Sequence, residues 1–95
     1  MKESEKQILL ICQEECAEVT QAISKVFRFG YDSVYNDRTN QQRLTEEVGD
    51  LLAMIDLMFE AGIIDESSTK MASTQKKIKL KKWSNIFDEQ PELVN

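Results

Sequence analysis

The fold is decided by one stretch, residues 44–58, which reads LTEEVGDLLAMIDLM. Its apolar residues recur every three or four positions, which is the spacing of one face of an α-helix. Glu47 and Asp50 lie three positions apart on that same face, where apolar residues are expected. Because a buried carboxylate is very costly without a positive partner, the stretch predicts a helix whose packing face carries chemistry.

An earlier stretch repeats this pattern, since residues 14–18 read EECAE. Glu15 and Glu18 lie three positions apart and continue an apolar stripe that contains Ile11 and Ala22. If the two helices are antiparallel neighbours, the two acid pairs meet across a helical hairpin. Four like charges packed together need a cation between them. Oxygen ligands without histidine point to a hard ion, Mg²⁺, with Mn²⁺ as a substitute.

Two further acids, Glu14 and Glu46, directly precede Glu15 and Glu47 in the sequence. Each lies about 100° around its helix from the residue that follows it. Either carboxylate could be a general base for water or a group behind the metal ligands, and either could be a solvated residue at the edge of the face. We retain Glu14, together with Glu15, as a candidate catalytic residue.

The sequence predicts three helices, over about 5–29, 40–61 and 66–87, and no strands. The predicted fold class is all-α, an antiparallel helical hairpin plus a third helix, which forms a four-helix-type bundle on dimerisation. We assign residues 1–88 to a single domain and 89–95 to a flexible C-terminal tail.

Capping signals set the expected helix ends. Ser4–Gln7 and Thr39–Gln42 match the S/T-x-x-Q capping box. Gly30 and Gly62 are suitable C-terminal stops for the first two helices. Asp65 or one of the serines that follow it is expected to cap the third helix.

Composition excludes several classes of function. The chain has 95 residues with 17 acidic and 12 basic side chains, a net charge of −5, and no histidine. This balance makes nucleic acid an improbable partner. Cys12 and Cys16 lie one helical turn apart, a poor geometry for a disulfide, so we expect buried, reduced thiols. Reduced thiols and a charged start without a signal-peptide core predict a cytoplasmic protein, and the longest apolar stretch, 51–64, is too short for a membrane span.

Basic residues form two groups. The third helix carries six lysines: Lys70, Lys76, Lys77, Lys79, Lys81 and Lys82. Lys79 and Lys82 share a face, and Lys25 and Arg28 lie near the end of the first helix. These four residues are candidate phosphate ligands. The alternative is a solvated basic face on the third helix and, at the end of the first, cations favoured by the helix dipole.

The motifs EECAE at residues 14–18 and EEVGD at residues 46–50 resemble the E-E-x-x-E…E-x-x-D signature of the MazG-like, all-α nucleoside triphosphate pyrophosphohydrolases. The extension over residues 44–58 is especially similar, and the resemblance covers roughly residues 5–87. It implies a homodimer or homotetramer that uses Mg²⁺ to split a nucleoside or deoxynucleoside triphosphate into its monophosphate and pyrophosphate. The role would be nucleotide pool control or housecleaning.

Site residues follow from the positions of the family motif. The resemblance assigns metal binding to four acids: Glu15, Glu18, Glu47 and Asp50. The role of Glu14, the first acid of the E-E pair, is less defined. The resemblance also implies that basic residues of the third helix contact phosphates. Independently of the resemblance, Tyr31 and Tyr35 could cover the base, because they lie in the loop at the end of the first helix. The chain departs from many relatives in having little sequence after the third helix.

The main alternative is a non-enzymatic helical dimerisation or adaptor module. Such a module would keep all four acids exposed and would not need Mg²⁺. A di-iron carboxylate bundle requires Glu-x-x-His pairs, which a chain without histidine cannot supply.

Overall fold

The computed structural model of the chain describes residues 1–89, which divide into two units at Ile63 and Ile64. The first unit contains α1 (Glu3–Phe29), β1 (Val34–Tyr35), β2 (Arg38–Thr39) and α2 (Asn40–Glu60). The second unit contains α3 (Glu66–Trp83) and α4 (Ile86–Glu89). The predicted helical class is confirmed. The predicted flexible tail at 89–95 lies, apart from Glu89, outside the described residues.

α1 and α2 form an antiparallel hairpin. Lys25, late in α1, lines one cavity with Arg43, early in α2. Farther from the connecting loop on both helices, Glu15 lies beside Asp50. No helix in the described part of the chain is long and apolar enough to cross a membrane.

The core of the hairpin is small. Within residues 1–88 only four side chains are buried: Cys12, Ala22, Asn40 and Met54. Large apolar side chains elsewhere on the two helices stay exposed, including Leu10, Phe27 and Leu52. Both cysteines are free, but Cys16 is exposed, so the prediction of two buried thiols is wrong for that residue.

The start of α2 has the predicted capping box. The Thr39 hydroxyl accepts a hydrogen bond from the Gln42 amide at 3.0 Å, and the Gln42 side chain accepts one from the Thr39 amide at 2.8 Å. At the start of α3, the Asp65 carboxylate accepts hydrogen bonds from the backbone amide and hydroxyl of Ser68, both at 2.8 Å. These bonds lower the pKa of Asp65. The predicted caps of both helices are confirmed.

Two predicted helix ends are wrong. α1 begins at Glu3 after Lys2, which makes no side-chain capping bond, so Ser4 lies inside the first turn and not at a cap. α3 ends at Trp83 and not near residue 87, because Ser84 is extended and its hydroxyl donates back to the Leu80 carbonyl at 2.7 Å.

The loop between α1 and α2 contains an unpredicted two-stranded β-hairpin. Val34 pairs with Thr39, and Tyr35 pairs with Arg38, in antiparallel register. Asn36 and Asp37 connect the strands with φ angles of 50° and 64°, as in the two-residue turn that matches strand twist. Asn-Asp is a weaker turn signal than Asn-Gly, and strands of two residues are too short to show alternation.

Removing the α2 cap should weaken the hairpin. We expect Thr39→Ala to lower the free energy of unfolding by about 1 kcal/mol, because the Gln42 amide loses its acceptor. Thr39→Ser keeps the acceptor and should stay close to the parent protein. Urea denaturation followed by circular dichroism measures both, and equal stability of Thr39→Ala and the parent would contradict the prediction.

Candidate active site

Three carboxylates come together where α1 faces α2. Glu15 comes from α1, and Glu47 and Asp50 come from α2. One oxygen of each residue lies within 4.8 Å of the others. Glu15 and Glu47 are half-buried and Asp50 is exposed. We call these three residues the acid cluster, and its oxygens are close enough together to share one cation.

The fourth predicted ligand, Glu18, lies beside the acid cluster and outside this group of three. It lines a cavity of about 90 Å³ together with Glu47, Lys25 and Arg43, which we call the acid cavity. Glu18 is exposed, as is Asp50, so the prediction that all four acids lie on the buried side is wrong for these two.

The electrostatics of the cluster centre on Glu47. Partial burial raises the pKa of Glu47, because desolvation disfavours the ionised form. Nearby carboxylates raise it further, those of Glu18, Asp50 and Glu15. The Arg43 guanidinium acts in the opposite direction and does not cancel the rise.

The donor set fits a hard divalent cation. The acid cluster offers only carboxylate oxygens, the donors that Mg²⁺ and Mn²⁺ prefer in proteins. Glu15, Glu47 and Asp50 would hold the ion, and Glu18 is near enough to Glu47 to affect its pKa. A positive ion would relieve the repulsion that raises the pKa of Glu47.

Two residues at the start of α2 belong to the site and were not predicted. Asn40 is only 5% exposed, and its side-chain amide donates to the Gly30 carbonyl at 2.9 Å. Arg43 donates to the Tyr35 carbonyl at 2.7 Å and lines the acid cavity. Asn40, Arg43 and Glu47 follow one another at spacings of three and four, so the periodicity that identified the acids also contained this signal.

Glu14 and Glu46 differ in their surroundings. Glu14 is exposed and lies outside the acid cluster. Glu46 forms an ion pair with Arg38 of β2 and so links α2 to the β-hairpin. This contact gives Glu46 a structural partner that spacing alone did not indicate.

The predicted phosphate ligands are dispersed. Lys25 is exposed and lines the acid cavity. Arg28 instead lies over the Phe29 ring, with its guanidinium carbon 5.0 Å from the ring centre. Lys79 and Lys82 are exposed on α3, in the second unit.

One comparison with known families places the chain in a family. The chain matches the family model of the MazG nucleotide pyrophosphohydrolase domain over residues 3–83. The chain belongs to this family. The MazG match includes both acid pairs and all of α1, α2 and α3, and it confirms the predicted resemblance. MazG proteins generally hydrolyse nucleoside triphosphates and typically depend on a metal. No match was found among curated proteins or among solved structures.

Replacing Glu47 with glutamine is expected to stabilise the metal-free MazG chain near neutral pH. Folding raises the pKa of Glu47, so its ionisation favours the unfolded state. The contribution of Glu47 to the free energy of unfolding is therefore lost as the pH rises from about 4.3, the ordinary pKa of glutamate, through the raised pKa of Glu47. Urea denaturation in EDTA should show that the parent protein and Glu47→Gln have similar free energies of unfolding near about pH 4. Near about pH 7 Glu47→Gln should be the more stable of the two.

Asp56→Asn is the matched control, since Asp56 is an exposed acid of α2 outside the acid cluster. It removes one negative charge from the same helix and should show no comparable gain. A gain of equal size in both variants would assign the effect to net charge, and no gain in Glu47→Gln would contradict the prediction.

Proposed function

We propose that this MazG protein hydrolyses nucleoside or deoxynucleoside triphosphates to the monophosphate and pyrophosphate in the presence of Mg²⁺, with Mn²⁺ as a substitute. The observation that carries the proposal is the convergence of Glu15, Glu47 and Asp50 within 4.8 Å, from two helices of a MazG domain. Nucleotide pool control or housecleaning in the cytoplasm is the role that fits this reaction.

The proposed chemistry divides between the metal and the side chains. When bound, Mg²⁺ would neutralise phosphate oxygens and act as a Lewis acid toward water. Glu14 and Glu15 are the candidate bases, because Glu15 belongs to the acid cluster and the exposed Glu14 directly precedes it in the sequence. Water forms a bond to the α-phosphorus, a carboxylate takes its proton, and the bond to the bridging oxygen breaks to release pyrophosphate.

Basic residues would bind the phosphates. Lys25 and Arg43 are best supported, because both line the acid cavity beside Glu18 and Glu47. Their positive charges can stabilise the charge that develops on the leaving pyrophosphate. Three exposed cations are retained as further proposed phosphate ligands: Arg28, Lys79 and Lys82.

A homodimer or homotetramer is the proposed assembly. A groove of about 630 Å³ runs along the side of α2 and is lined by Leu44, Val48, Gly49 and Leu52. Within the described residues, no atom beyond the neighbouring backbone of α2 lies within 4 Å of the position that a Cβ at Gly49 would occupy, so a second helix could approach closely there. The small core of the hairpin also favours association, since so few buried side chains stabilise a domain poorly. Two such hairpins would form a four-helix bundle.

The adaptor alternative is less well supported. It requires four exposed acids, but Glu15 and Glu47 are half-buried and clustered with Asp50. The exposed apolar groove of α2 would suit an adaptor, but an oligomeric enzyme accounts for the same surface. The acid cluster therefore favours the enzyme.

Pyrophosphate release from a panel of nucleoside and deoxynucleoside triphosphates tests the proposal. With Mg²⁺ the parent protein should release pyrophosphate from at least one of them, and EDTA should abolish the reaction. Glu47→Gln should lower kcat/KM by more than about 100-fold, because even groups that only support metal ligands contribute about 10–100-fold. Asp56→Asn should retain activity, since it lies outside the acid cluster. Turnover that survives EDTA or Glu47→Gln would contradict the proposed site.

A further inference from the structure

A second cavity lies between the end of α1, the β-hairpin and the start of α2. It has a volume of about 320 Å³, and we call it the hairpin cavity. Six of its lining residues matter here: Lys25, Phe29, Val34, Tyr35, Asn40 and Arg43. Its volume lies at the lower end of the roughly 300–1,000 Å³ that small-molecule sites occupy, and a mostly apolar wall with a few polar groups is typical of such sites.

The hairpin cavity adjoins the acid cavity. Lys25, Asn40 and Arg43 line both, so these residues form the seam between them. Glu18 and Glu47 line the acid cavity on one side of the seam, and aromatic and aliphatic side chains line the hairpin cavity on the other. The combined site thus changes from acidic to cationic to apolar along its length.

This order of charges matches the parts of a nucleotide. Phosphates carry negative charge and bind divalent cations, so they suit the acid side of the site once a cation is present. A base has flat faces that stack on aromatic rings. Phe29 and Tyr35 are 57% and 67% exposed, so their rings are accessible to such a ligand.

The β-hairpin wall is firmly attached to α2. Arg43 donates to the Tyr35 carbonyl at 2.7 Å, and its guanidinium carbon lies 5.5 Å from the centre of the Tyr35 ring. The backbone amide of Asn40 donates to the Ser33 carbonyl at 3.1 Å. The Nε atom of Arg43 is buried and has no hydrogen-bond acceptor within the described residues. The guanidinium therefore has a donor that the described residues leave unsatisfied, at the seam of the two cavities.

We propose that the hairpin cavity binds the nucleoside part of the triphosphate, with the base against Phe29 and Tyr35. Lys25 and Arg43 contact the phosphates nearest the sugar. Asn40 holds the seam between the two cavities in place through its side-chain hydrogen bond to the Gly30 carbonyl. This inference rests on the proposed hydrolysis, and it assigns base contacts to Tyr35. Tyr31, the other tyrosine of the loop, lines the groove of α2 instead.

Isothermal titration calorimetry with two probes tests the inference. The first probe is a set of α,β-imido analogues of the common nucleoside and deoxynucleoside triphosphates with Mg²⁺. The second is inorganic tripolyphosphate with Mg²⁺, which has no nucleoside. Phe29→Ala and Tyr35→Ala should each weaken binding of the preferred analogue by about tenfold, in line with the loss of one stacking contact. Binding of tripolyphosphate should not change.

Phe27→Ala is the matched control, because Phe27 is an 86% exposed aromatic residue of the same helix end and does not line the hairpin cavity. It should bind both probes like the parent protein. Equal affinity for the analogues in the parent and both wall variants would overturn the inference. An equal loss of analogue and tripolyphosphate binding would also overturn it, since the wall residues would then act on the whole site.

Turnover of the natural triphosphates, measured in parallel, separates this inference from the proposed hydrolysis. Normal turnover with affinities unaffected by Phe29→Ala and Tyr35→Ala overturns the nucleoside pocket and leaves hydrolysis intact. Analogue binding that depends on both rings, without turnover in the parent protein, overturns hydrolysis and leaves the pocket intact.

Discussion

Repulsion between carboxylates across the α1–α2 hairpin is the interaction on which the rest of this structure depends. One carboxylate oxygen of each of Glu15, Glu47 and Asp50 lies within 4.8 Å of the others, so their ionised forms repel one another. Burial raises the pKa of Glu47, and repulsion from the carboxylates of Glu18, Asp50 and Glu15 raises it further. A hairpin with so few buried side chains has little stability to offset this repulsion between carboxylates. The chain keeps the acids together nonetheless, which is the pattern expected when a site is built for a ligand.

The elements around the acids serve to position them. The capping box at Thr39 fixes the start of α2, and the β-hairpin is held to that start by Arg43 and by the Arg38–Glu46 ion pair. Asn40 and Arg43 therefore sit at a defined place between the acid cavity and the hairpin cavity. One short segment thus borders both cavities, which are the proposed metal side and the proposed nucleoside side of the site.

Local rules predicted much of this arrangement. The three-and-four spacing placed Glu15, Glu47 and Asp50 on facing sides of two helices, and the capping signal at Thr39 was confirmed. Helix periodicity defines a face but not its width, which depends on how closely the neighbouring helix packs. For that reason spacing could not separate half-buried Glu15 from exposed Glu18.

Other features depend on contacts that arise only after folding. The two-residue turn at Asn36 and Asp37 requires two left-handed backbone conformations, for which the Asn-Asp pair gives only a weak signal. The role of Arg43 depends on a carbonyl of that β-hairpin, so it was hidden as long as the hairpin was unknown. The alternatives for Glu46 could likewise not be decided without its partner Arg38.

The central claim is that the acid cluster binds a divalent cation, and a Mg²⁺ titration of the melting temperature tests it most directly. Because binding to the folded state stabilises it, Mg²⁺ at about 100 times its Kd should add about 2.7 kcal/mol to the free energy of unfolding of the parent protein. The melting temperature should rise accordingly, and it should stay nearly flat in Glu47→Gln. A flat titration of the parent, or an equal rise in Glu47→Gln, would contradict the claim.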